Sequence, residues 1–302
     1  MLFRSVGPKL HELEKLDQQS PDAQRRLALA TWLCSPDNPL PARVIANRLW
    51  HYHFGKGIVS TPSDFGLGGS LPTHPNLLDW LANQLIESDW SIKRLHRLIL
   101  LSEAYQRSSL GHENPAETID SANRLIWRQT PRRLDAESLR DTILCVSDAM
   151  VRNMHGPGYR DFEYQEEYAP VYKHRVFSTP DMFRRSIYRF VVRTTPHPFL
   201  TSLDCPNPAT LTPVRNTTTT AIQALATLNN ALILQQSNLF AQRLQREFPN
   251  NTEQQSEQAI RVALGRRATK EEIQSASQLI RDAGLPELCR VLFNTNEFIY
   301  VD

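Results

Sequence analysis

Three groups of residues have types and spacings that could do chemistry. The first is His53 with Asp64 and His74 downstream. An imidazole titrates near neutral pH, and facing a carboxylate or a second imidazole it can act in acid–base catalysis or hold a metal. The second is Arg132-Arg133 in Pro131-Arg-Arg-Leu-Asp-Ala-Glu-Ser-Leu-Arg-Asp141. A pair of guanidinium forks suits a carboxylate, sulfate or phosphate. The third is Arg215 with Thr217 and Thr218 in a run of threonines that opens a helix. Free backbone amides at a helix N-terminus, hydroxyls and a neighbouring guanidinium make an anion site, and this group is the preferred ligand-site candidate.

Each group also has a plainer reading. On a helical wheel, Ile45, Ala46, Leu49, Trp50 and Tyr52 share an arc that contains His53, which predicts a buried, hydrogen-bonded histidine. Left unpaired there, it would cost about 1–3 kcal/mol, and Asp64, His74 and Asp79 are the partners within reach of the chain. His51 and His53 fall about 200° apart on a helix, HExxH is absent, and no metal site is assigned. Arg132, Arg133, Glu137, Arg140 and Asp141 could form a salt-bridged helix face. The threonines could do no more than cap their own helix.

The elements that must position these groups are mainly helical. Ser20-Pro21 predicts an N-cap and first turn. A second helix runs from about Pro41 to Phe54 and stops at Gly55. Thr73 caps a third that has Pro75 in its first turn, Ser91 starts a fourth, and a fifth runs from near Asp135 to about Met150. Val171–Ser178 and Ser186–Arg193 are rich in β-branched and aromatic residues and read as short strands. A long helix is expected from about Thr218 to Glu247. Two shorter ones follow, opened by Thr252 with Gln255 and Thr269 with Glu272, and a last one begins at Pro286. The expected fold is a mainly α, multi-helix bundle with a small β element at about residues 171–193 between helical halves. The expected organisation is a tail at 1–19, a helical half at 20–150, an irregular segment at 151–216 and a helical half at 217–302 that packs on the first to form one composite domain.

Composition narrows the function classes. The 302 residues carry 34 Lys+Arg and 32 Asp+Glu, a net of +2, which argues against a strongly basic nucleic-acid binder. Of the 34 basic residues, 28 are Arg and 6 are Lys. The four cysteines stand singly, so they read as buried free thiols, and without CxxC or CxxCH there is neither a zinc ribbon nor covalent haem. No cofactor is expected on the chain. No apolar run approaches 18 residues and the opening lacks an apolar signal core. There is no GxSxG, P-loop or GxGxxG.

Several motifs together resemble a known family. They are Asn47-Arg-Leu-Trp-His-Tyr-His-Phe-Gly-Lys-Gly-Ile-Val-Ser-Thr-Pro-Ser-Asp-Phe-Gly66, Pro72-Thr-His-Pro-Asn-Leu-Leu-Asp-Trp-Leu81, the Pro131–Asp141 run, Arg184-Arg-Ser-Ile-Tyr188, Asp204-Cys-Pro206, Thr218–Leu225 and Asn296–Asp302. The chain is similar over nearly all of residues 20–302 to the planctomycete domain of unknown function 1553, the PSD1 domain that closes surface or periplasmic proteins beginning with a cytochrome-c-like domain. Asn76 stands where such proteins usually carry Glu. The resemblance implies a periplasmic or cell-surface setting and haem-bearing partner domains. It implies no activity, and this chain lacks the haem motif. On this reading the chain is a C-terminal piece of a larger protein, or a truncated or misannotated gene.

The residues support three readings of function. The first is a non-catalytic binding or interaction domain that takes an anionic ligand or polysaccharide. The second is a hydrolase or lyase acting on acidic or sulfated polysaccharide, with His53, Asp64 and His74 as candidate catalytic residues. The third is DNA binding. Whether the chain is an enzyme stays open.

Overall fold

The computed structural model describes residues 19–35, 37–109, 114–166, 171–175 and 179–301. The protein is mainly α. Among the described residues there are thirteen α-helices and two small two-stranded sheets, and no helix is long and apolar enough to cross a membrane. The chain divides after Pro131 into two compact units, so the helix expected from Asp135 belongs to the second.

The first unit holds α1 (Asp22–Leu33), α2 (Leu40–Phe54), α3 (Pro75–Glu87), α4 (Ile92–Leu100) and α5 (Ala116–Ile119). Its core joins α2, α3 and α4 through Ala46, Leu49, Trp50, Phe54, Leu78, Leu81, Leu85, Leu95 and Ile99. The buried face of α2 is therefore the stripe that includes Asn47, Trp50 and Phe54, and Tyr52 is exposed. Asn47 is fully buried because it replaces a strand partner for the loop that follows. Its Nδ2 donates to the Val59 carbonyl at 3.0 Å and its Oδ1 accepts from the Val59 amide at 2.8 Å. Gly57 is required beside this clamp, since a Cβ there would lie 2.5 Å from the Val59 oxygen. Two caps differ from expectation. His74, not Thr73, is the N-cap of α3, because the Thr73 hydroxyl turns to the Ile58 carbonyl. Pro21, not Ser20, precedes α1.

The second unit begins and ends in one sheet. In it β1 (Arg132–Arg133) pairs antiparallel with β4 (Tyr300–Val301). Between them run α6 (Ala136–Val146), α7 (Pro198–Ser202), α8 (Ala221–Asn229), α9 (Ala231–Glu247), α10 (Thr252–Leu264), α11 (Lys270–Ala283), α12 (Leu285–Phe293) and α13 (Asn296–Ile299). Phe240, Leu244, Leu288, Leu292 and Phe293 are buried where α9 meets α12, and Leu139, Ile143 and Leu144 add the buried face of α6. The single long helix expected from Thr218 is two helices. Asn230 is extended (φ −64°, ψ 142°), ends α8 and caps α9 through its side chain. Asn251, not Thr252, caps α10, whereas Thr269 and Glu272 form the expected capping box.

The β element is β2 (Phe162–Gln165) paired antiparallel with β3 (Val171–His174), in register Phe162↔His174. Ser186–Arg193 is not a strand. It forms a 3₁₀ turn at Ser186–Tyr188 and one bridge, Tyr159 with Arg189. The end of the other expected strand, residues 176–178, lies outside the described residues. Irregular backbone leaves carbonyls that must still be paired, and arginines supply the donors. Arg140, 2 % exposed, donates to the carbonyls of Met182 and Arg184. Arg184 donates to those of Asn153, His155 and Pro157. The alternation of Arg185 to Val192 therefore marks a stapled loop and not a pleated face.

Candidate functional site

The His53 group is not assembled into one site. His53 is half-buried and its Nε2 lies 2.7 Å from Nδ1 of His96 on α4. Asp64 closes its own loop, accepting from the Gly66 amide at 2.8 Å. His74 Nδ1 meets the Thr73 hydroxyl at 2.9 Å. Asp79 pairs with Arg43 at 2.6 Å. The partner of His53 thus comes from α4 and not from Asp64, His74 or Asp79.

The expected anion sites already hold the protein's own carboxylates. Asp204, in the left-handed region at φ 63°, accepts from Arg133 Nη2 at 2.8 Å, the Thr218 amide at 2.7 Å, the Thr218 hydroxyl at 2.9 Å and Gln223 Nε2 at 3.0 Å. Burial alone would raise the Asp204 carboxyl, but the Thr218 amide and the Arg133 fork outweigh it and hold the pKa below the usual range. Arg215 grips Glu137 with both amino groups, at 2.6 and 3.0 Å, with Asp135 at 3.6 Å. Thr217 is exposed on the approach to α8. Arg132 lies in β1 opposite Val301.

A different cluster of titratable side chains gathers in the second unit. Asp161 leads into β2, His174 ends β3 and His197 caps α7, where its Nδ1 accepts from the Leu200 amide at 3.4 Å. Each of the three offers a ligand atom, and these atoms lie within 4.8 Å of one another. Among the described residues, no other three His, Cys, Asp or Glu side chains gather in this way. Asp161 is 2 % exposed, and its Oδ2 takes Arg189 Nε at 2.6 Å and lies 3.4 Å from His197 Nε2. Burial pushes His197 down to about 4, only partly opposed by Asp161 and reinforced by Arg189 and His174. It is therefore neutral at pH 7. Several buried atoms here have no hydrogen-bond partner: both ring nitrogens of His174, Oδ1 of Asp161, Nη2 of Arg189 and the Tyr159 hydroxyl. Burial raises that hydroxyl to about 12, so it stays a phenol.

His197 and Arg189 also line a cleft of about 230 Å³, whose other walls include Glu137, Leu200, Cys205 and Arg215. Burial and then Glu137 push the Cys205 thiol up to about 11, so it is not a thiolate nucleophile at neutral pH. All four cysteines are free, but of these Cys289 alone is buried. Asp161, His174 and His197 stand 13 and 23 residues apart and match no spacing motif, so local sequence does not single them out. The Pro196-His197-Pro198 context was a usable signal, since proline after a polar residue marks a helix start.

Fold and site define a mainly α protein whose arginine-stapled irregular segment carries a part-buried Asp–His–His cluster beside a small cleft. The chain belongs to the family described as PSD1, proteins of unknown function (DUF1553), which matches residues 25–280. No curated protein and no solved structure matches it.

Proposed function

We propose that the second unit is a binding domain for a small acidic ligand, such as one uronic acid or sulfated sugar unit, held in the cleft beside Arg189. The observation that carries this reading is Arg189. Its side chain is 7 % exposed, lines the cleft and keeps one amino group, Nη2, without a partner. A buried guanidinium donor left unpaired is costly, and a carboxylate or sulfate oxygen would satisfy it once the guanidinium turns toward the cleft. Arg215, 40 % exposed, lines the same cleft and adds positive charge there, although its fork is held by Glu137. A volume of about 230 Å³ is below the roughly 300–1,000 Å³ of drug-sized pockets, which suits a single sugar unit. From the family resemblance we also propose that the domain serves a haem-bearing surface or periplasmic protein of planctomycete type. DNA binding gains nothing here, since Arg133, Arg140 and Arg184 are turned to internal partners.

The test is calorimetry of the purified chain with galacturonate and with galactose. Galacturonate is expected to bind and galactose not, and Arg189→Lys, which keeps the charge but loses the fork, is expected to abolish binding while circular dichroism stays unchanged. Equal heats for both sugars, or a folded Arg189→Lys that binds as wild type, would sink the reading. A hydrolase or lyase is the second reading, favoured by His197, which lines the cleft with the buried Asp161 carboxylate 3.4 Å from its Nε2. It expects new reducing ends or unsaturated products from an acidic polysaccharide, lost in His197→Gln.

A further inference from the structure

The Asp161–His174–His197 cluster has more polar capacity than its protein neighbours use. His174 is half-buried, its ring lies 4.9 Å from that of His197, and neither of its nitrogens has a hydrogen-bond partner. Oδ1 of the nearly inaccessible Asp161 has none either. Buried polar atoms are nearly always satisfied, and two imidazoles and a carboxylate converge here from three separate elements.

We propose that Asp161, His174 and His197 bind one divalent first-row transition ion. The ligand chemistry selects that class: imidazole nitrogen with one carboxylate suits zinc or ferrous iron, whereas calcium and magnesium take oxygen. The spacing fits as well. Ligand atoms about 2.0–2.1 Å from a tetrahedral zinc ion stand about 3.3 Å apart, and His197 Nε2 and the Asp161 carboxylate are 3.4 Å apart. The outer limit of 4.8 Å on the remaining pairs leaves His174, at the end of its strand, about 1.5 Å to close at most. Arg189, bonded to Oδ2, keeps its place as the group that orients the carboxylate. Ligation through His197 Nε2 moves the ring proton through solvent to Nδ1, with no net proton change, and gives up the long contact from the Leu200 amide. Three protein ligands leave a coordination position for water or a bound molecule. This site stands independently of the acidic-ligand reading, because the ion can be titrated with no acid present.

The experiment is a zinc titration of the full chain by calorimetry, after chelator treatment and in phosphate-free buffer. Wild type is expected to bind one ion with micromolar or tighter affinity. His174→Gln and Asp161→Asn should each weaken binding by at least about 100-fold, since losing a ligand should exceed the 10–100-fold cost of losing an outer partner. Far-UV circular dichroism of His174→Gln should match wild type, because the ring nitrogens hold no hydrogen bond to lose. His96→Gln should leave one ion bound, which separates this cluster from the His53–His96 pair. No zinc bound by wild type overturns the proposal. So does binding that survives His174→Gln but not His96→Gln. Should His174→Gln fail to fold, X-ray absorption of the His96→Gln zinc complex, which lacks the His53–His96 pair, decides: two imidazole ligands support the site, and sulfur or oxygen alone overturns it.

Discussion

Removing the Asp204 carboxylate should create the external anion site expected from the sequence. The informative change is Asp204→Gly, because φ is 63° at this position and alanine would add backbone strain of its own. The carboxylate is 17 % exposed and faces Arg133, which is 7 % exposed. Stripping one member from a buried ion pair costs about 3–5 kcal/mol. Arg133 keeps the carbonyls of Leu203 and Thr218 and the Gln223 Oε1, so the low end, about 3 kcal/mol, is the expected loss. With a urea slope of about 2–3 kcal/mol/M that moves the unfolding midpoint down by about 1 M. Acetate should then occupy the abandoned donors. For a Kd on the order of 10 mM, about 100 mM acetate returns about 1.4 kcal/mol. The assay is urea unfolding followed by circular dichroism, in acetate against chloride at equal ionic strength. The sign with pH is also fixed. The folded carboxyl titrates below its ordinary value, so its stabilisation is complete above about pH 4 and is lost as pH falls through the lower folded value. A wild-type midpoint for the variant, or acetate acting no differently from chloride, would refute the argument that an internal carboxylate occupies this site.

Three further outcomes are expected. Asn47→Ala strands the buried amide and carbonyl of Val59 and should cost about 2–4 kcal/mol, read as a lower melting temperature; a loss under about 0.5 kcal/mol would show that water replaces the clamp. Arg266 holds Glu272 down to about 2, so the stabilisation it gives is full above about pH 4.3 and fades as pH falls toward 2. Glu272→Gln should flatten that part of the stability profile, and because these side chains are 39 % and 34 % exposed high salt should shrink the difference; an unchanged acid limb would contradict the pairing. Iodoacetamide at mildly alkaline pH should label the exposed Cys34 and Cys145 before Cys205 and Cys289, whose thiols burial raises, and peptide mass spectrometry showing Cys205 modified as fast as Cys34 would contradict that order.

The legible parts of the fold are those governed by local chemistry. Gly55 ends α2 in the left-handed conformation, Ser91 caps α4, Asp135 caps α6, and Thr269 and Glu272 close on one another. Each depends on residues within about four positions, so the sequence carries it complete. Asn230 escaped because a single extended residue interrupts an otherwise continuous apolar period. Ser186–Arg193 misled because its alternation of arginine with apolar residues mimics a pleat, whereas Arg184 and Arg189 turn inward to distant carbonyls and to Asp161.

The sequence by itself determined the helical class, the family and the chemical vocabulary of arginine, threonine and scattered histidine. Tertiary structure alone decided which of these groups remain available. Hydrogen bonds and ion pairs act over about 3 Å, and the decisive ones join residues far apart in the chain: Arg133 with Asp204, Glu137 with Arg215, His53 with His96. The same folding that uses up the expected anion sites draws Asp161, His174 and His197 together and leaves both ring nitrogens of His174 and one Asp161 oxygen unpaired. No local pattern records that outcome, because each of the three residues owes its place to a different element.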